Sequence, residues 1–225
     1  MLCQKGEIMK KHTNHQTCLS HVVKTGAVLG VVIFAASALP TQAQNATTPP
    51  ESTQPSSNIS HRGKEFLKEA AQANQTEIAM ANVAEDKSQN TQVKDLARMM
   101  RADHEQNYSQ LQAIAQAHGV TLDPKLDMLN RYEVDRLKKA NEADFDKDYT
   151  KVMLKDHVKC IKRFEKAASD IEEQDVKQYA QNTLPTLRHH LQRSEEAARA
   201  VGLDESTISS ILKDLPSEDR AVTTR

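Results

Sequence analysis

Tryptophan is missing from this 225-residue chain, and it holds only 4 Phe, 4 Tyr, 6 Gly and 7 Pro. β-Sandwiches and barrels need a turn every ~8–12 residues, and so few Gly and Pro cannot supply them. Gly6, Gly26, Gly30, Gly63, Gly119 and Gly202 form neither G-x-G-x-x-G nor G-x-x-x-x-G-K-[ST], which excludes dinucleotide and P-loop sites of those types. Charge of one sign is also lacking. Thirty Lys+Arg against 31 Asp+Glu give −1, which is no electrostatic footprint for nucleic acid. No apolar run reaches the ~20 residues of a membrane-spanning helix. An all-α protein remains.

The apolar run that is present, Gly26–Leu39, is short and uncharged, follows Lys10, Lys11 and Lys24, and ends at Pro40. Thr41-Gln42-Ala43 then gives a small-x-small cleavage signal, so residues 1–43 read as a secretory signal peptide. Translation from Met9 would give a leader of more ordinary length. Cleavage leaves 26 basic against 30 acidic residues and one thiol, Cys160. An exported chain with a single Cys has no internal disulfide, so core packing must hold it together. The expected location is the periplasm, with no transmembrane segment after cleavage. Peripheral association with the outer membrane, an envelope partner and a homo-oligomer stay open. Residues 44–61 are Ser-, Thr-, Pro- and Gln-rich and form a linker; 203–225 form a polar tail with one apolar docking turn.

Between them, residues 62–202 carry four amphipathic patterns with helical spacing, over about 62–88, 91–118, 142–170 and 173–200. Asn90 and Asn141 suit N-caps, Gly119 and Gly202 suit C-terminal stops, and Pro185 interrupts the fourth pattern. The first and second, and the third and fourth, are joined by very short loops and form antiparallel hairpins. Residues 119–140 are too many for a tight turn; Asp123-Pro124 opens a short extra helix within them. This predicts a ferritin-like four-helix bundle with a short helix in the crossover, and parallel second and third long helices.

Polar residues break each apolar stripe at one level: Glu77, Asp103/His104, Asp156/His157 and His190. All lie within ~6 Å of their helix midpoints at 1.5 Å per residue. Histidines and carboxylates converging in a bundle core match the ligand chemistry of Fe, Mn or Zn. An adjacent Asp-His pair cannot aim both side chains at one point, because neighbours differ by ~100° around the helix. The same residues also suit a polar layer that only fixes helix register, as in a non-enzymatic envelope module. No nucleophile–base pair is apparent.

Residues 66–84 (FLKEAAQANQTEIAMANVA), 93–104 (VKDLARMMRADH), 145–168 (FDKDYTKVMLKDHVKCIKRFEKAA) and 183–191 (TLPTLRHHL) resemble a bacterial family of exported ferritin-like domains of unknown function. Members are often labelled "predicted outer membrane protein". The resemblance implies a ferritin-like bundle beyond the inner membrane and brings no established activity. The family's recurring polar positions correspond to Glu77, Asp103, His104, Asp156, His157 and His190. A stress- or redox-related metal role rests on fold analogy alone. No ~10-residue alternating strands are visible, so the label does not denote a membrane barrel.

Export through this leader predicts a mature chain beginning near Gln44. Mass analysis of the N-terminus after cell fractionation checks it: soluble periplasmic protein starting at Gln44 is expected, and an intact leader in washed membranes refutes it.

Overall fold

Each long helix starts where the local chemistry caps it. The computed structural model describes residues 59–215 and Asp219; the expected leader and nearly all of the linker lie outside them. Ser60 accepts the Gly63 N–H at 3.0 Å and opens α1 (His61–Lys87). Asn90 accepts from Gln92 and Val93 N–H groups and opens α2 (Thr91–Ala117). Asn141 accepts the Asp144 N–H at 2.9 Å and opens α4 (Glu142–Asp170). α5 (Gln174–Ala200) continues through the exposed Pro185, which has no N–H to give the Gln181 carbonyl. Past α2, Gly119 takes φ 64°, and the Val120 N–H returns to Ala115 O at 2.8 Å. This left-handed stop favours glycine.

The crossover helix α3 (Met128–Lys139) starts later than Asp123-Pro124 suggests. Asp123 Oδ1 accepts the Lys125 N–H at 2.8 Å and makes a turn, while Asp127 Oδ1 accepts from Asn130 N and caps the helix. The expected C-terminal docking turn is a two-turn helix, α6 (Glu205–Leu212), which buries Ile208 and Leu212 and brings Leu215 into the core.

Side-chain pairs fix the directions. Glu85 bonds Arg101 while Asn74 bonds Asn107, so α1 and α2 run antiparallel. Phe66 packs on Phe164 at 5.0 Å between ring centroids, and Lys87 lies over Phe145, so α1 and α4 are antiparallel. Asp103 meets His190 and His118 meets Asp175, so α2 and α5 are antiparallel. It follows that α2 and α4 are parallel, which is the ferritin-like connection that the long crossover predicted.

The apolar interior falls into two clusters. One gathers Phe66, Leu111, Ile161, Phe164 and Leu187; the other gathers Met80, Met100, Phe145, Tyr149 and Met153. Buried Asn74, Glu77, His104, His157 and His190 occupy the level between them.

Ile161 is fully buried, whereas Leu129 on α3 is 76% exposed. Ile161→Ala should cost ~2–5 kcal/mol of unfolding free energy, and Leu129→Ala within ~0.5 kcal/mol. Urea titration followed by circular dichroism measures both.

Candidate functional site

At the centre of the bundle one ring nitrogen from each of His104, His157 and His190 lies within 4.8 Å of the others. All three residues are buried, at 6%, 1% and 1% exposure. They come from α2, α4 and α5, and an outer partner sets the orientation of every ring.

Those partners determine the tautomers. Asn74 Nδ2 donates to Ala70 O and to Asn107 Oδ1, both at 2.9 Å, which leaves its Oδ1 as an acceptor. His104 Nδ1 sits 2.9 Å from that oxygen and must carry the proton. His157 Nδ1 is 2.9 Å from the Met153 carbonyl and likewise donates. His190 Nε2 donates to Asp103 Oδ2 at 2.8 Å. The three free lone pairs are therefore on His104 Nε2, His157 Nε2 and His190 Nδ1. The His104 Nε2 atom is buried with no hydrogen-bond partner. The other two face each other at 3.2 Å.

Burial, and then the charge that neighbouring imidazoles would carry, pushes His104 well below the ordinary histidine range and His157 down to about 3. His104 and His157 are therefore neutral in the folded protein. The bond to His190 holds Asp103 below the ordinary carboxylate range, so it is an ionised acceptor. Asn107 extends the support outward: its Oδ1 also accepts from Tyr179, and its Nδ2 donates to Thr183 Oγ1 at 3.2 Å.

The six sequence-predicted residues thus divide. His104, His157 and His190 converge, and Asp103 joins them as the acceptor behind His190. Glu77 and Asp156 do not join them: both line a cleft between α1, α3 and α4, where Asp156 bonds Lys159 at 3.3 Å. Asn74 is the functional residue that the sequence reading missed. Its signal was present, since Ala70, Asn74, Glu77 and Ala81 follow helical spacing on the buried face of α1.

The three nitrogens lie close enough together that they could hold a metal ion. Tetrahedral bonds of ~2.05 Å place ligand nitrogens ~3.3 Å apart, close to the His157–His190 separation. Outer acceptors fixing the remaining N–H groups, one of them a carboxylate, are the usual support of histidine ligands.

His157 titrates near 6.5 when unfolded and about 3 when folded. Its neutral burial therefore contributes stability above pH ~6.5 that is lost as the pH falls toward 3, because the unfolded chain then binds the extra proton. In metal-free buffer the urea midpoint should drop between pH 7 and 4.5. His157→Asn, which keeps a donor for Met153 O but has no such titration, should flatten that slope.

Known proteins place this fold. A crystal structure titled "DUF305 fragment from Deinococcus radiodurans" matches 63% of this chain and 98% of its own with a TM-score of 0.57. At 15% identity that likeness concerns the helical fold alone. No curated protein matches. Residues 48–197 match the family described as "Domain of unknown function (DUF4142)". That span is most of the chain and contains the three histidines with all their orienting partners, so the protein belongs to the DUF4142 family.

Proposed function

We propose that this protein is an exported, periplasmic helical bundle that binds one divalent transition metal through His104 Nε2, His157 Nε2 and His190 Nδ1. The observation that carries the reading is the set of three convergent lone pairs, each fixed by an outer acceptor and one wholly unpartnered. An all-imidazole donor set with no carboxylate among the convergent atoms favours Zn²⁺ or Fe²⁺ over Mn²⁺. Three protein ligands leave further coordination positions for water or a small molecule, the pattern of reactive rather than structural sites. This supports a redox or stress-protective role with iron. Export is supported by the leader before Gln44.

A second reading has its own observation. His157 Nε2 and His190 Nδ1 at 3.2 Å can share one proton, making a polar layer that fixes helix register without metal. A thermal melt in chelator and then in each of Zn²⁺, Fe²⁺, Mn²⁺ and Cu²⁺ separates the two. Metal at 100 times its dissociation constant adds ~2.7 kcal/mol, worth several degrees in a domain of this size. His104→Ala and His157→Ala should abolish the shift, Asp103→Asn should weaken metal affinity ~10–100-fold, and exposed His189→Ala should change neither. Wild-type protein that melts identically in all conditions, with no metal by elemental analysis, leaves the register layer.

A further inference from the structure

A cleft of about 560 Å³ lies between α1, α3 and α4, within the ~300–1,000 Å³ span of small-molecule sites. It is lined by Glu77, a carboxyl that the histidine site does not use. Glu77 is only 4% exposed, and its Oε2 has no hydrogen-bond partner. Leaving such a group buried and unpaired is costly, and a ligand that brings N–H donors removes the cost.

The charges around the cleft narrow the class of ligand. Arg136 is held by Glu133 at 2.9 Å and Lys159 by Asp156 at 3.3 Å, so those four cancel within the wall. Arg163 is held by Glu69 at 3.1 Å. What is left is the Asp148 carboxylate against Lys151 and Lys155, with the Glu77 carboxyl, which burial and then Asp156 push toward its neutral form until a cationic donor reaches it. The two lysines are one turn apart on α4, and Lys155 is exposed, whereas Glu77 is buried. The poles therefore lie at different depths, with Met80 and Val152 supplying apolar wall and Tyr132 of α3 a ring. A simple cation would meet the two lysines, and a simple anion would meet Glu77 unpaired.

We infer that this cleft binds a small zwitterion, with an ammonium directed to Glu77 and a carboxylate directed to Lys151 and Lys155 across a short apolar chain. This site is separate from the histidine cluster and stands whether or not that cluster holds metal.

Isothermal titration of the full chain in metal-free buffer tests it, with glycine, 4-aminobutanoate and 6-aminohexanoate as zwitterions of graded length. Hexanoate and hexylamine each lack one pole. Saturable one-site binding of at least one zwitterion is expected, at least tenfold tighter than either single-pole compound. Glu77→Gln and the double variant Lys151→Gln/Lys155→Gln should each weaken it tenfold or more, and His189→Ala should not. Leu129→Trp, at an exposed lining position, should block binding with an unchanged melt, so the test does not depend on how the Glu77 variant folds. Absence of saturable heat with every zwitterion, equal affinity for hexanoate or hexylamine, or undiminished binding in the lysine double variant and Leu129→Trp overturns the inference.

Discussion

Three imidazoles share the centre of this bundle, and each has its single N–H tied to a fixed acceptor: Asn74 Oδ1, the Met153 carbonyl and the Asp103 carboxylate. That constraint sets the rest. Because the outward nitrogens act as donors to those acceptors, the inward ones of His104 and His157 are left as bases. A slip of α5 by one turn, ~5.4 Å, would take His190 from Asp103 and strand both a buried N–H and a carboxylate. Asn74 plays the same part for α1 against α2, since reversing its amide would set an N–H against the His104 Nδ1–H and an oxygen against Asn107 Oδ1. Register and tautomer are thus one property of the structure, whatever fills the space between the rings.

The two Asp-His dipeptides show how position in the bundle outweighs local sequence. Asp103-His104 and Asp156-His157 are identical pairs on parallel helices, and both histidines turn inward. Each aspartate, ~100° around its helix, falls at a seam with the next helix. At the α2–α5 seam Asp103 meets His190, and an acid–base pair forms that holds the carboxylate ionised. At the α4–α1 seam Asp156 lines the cleft with Glu77, and burial together with that second acid lifts Glu77 well above the ordinary range. One dipeptide thus yields a histidine's acceptor in one place and a cleft wall in the other.

The same contrast explains what could be read in advance. The four long helices, the Asn90 and Asn141 caps and the parallel second and third helices follow from spacing, cap chemistry and loop length, all of which are local. The common level of Glu77, His104, His157 and His190 follows from rise per residue. Which of those side chains meet does not, because rotation about each helix axis is set by packing partners distant in sequence. Asn74 was hidden for a related reason: an Asn among Ala and Gln reads as surface until its partner His104 is known. The start of α3 was misplaced because Asp123 and Asp127 are both competent caps, and only Asp127 has the Asn130 N–H in reach.

Seen across its width, the central layer holds two chemistries side by side. His104 and His190 line a small pocket bounded by α1, α2, α4 and α5, and Glu77 and Asp156 line the wide cleft under α3. Ala73 and Cys160 border both spaces. Burial, reinforced by Glu77, raises the Cys160 thiol to about 12, so it stays neutral and acts as a small apolar wall. Such a wall separates the carboxyls of the cleft from the imidazoles. Split across Cys160, the six residues form an imidazole cluster on one side and a carboxyl-lined cleft on the other.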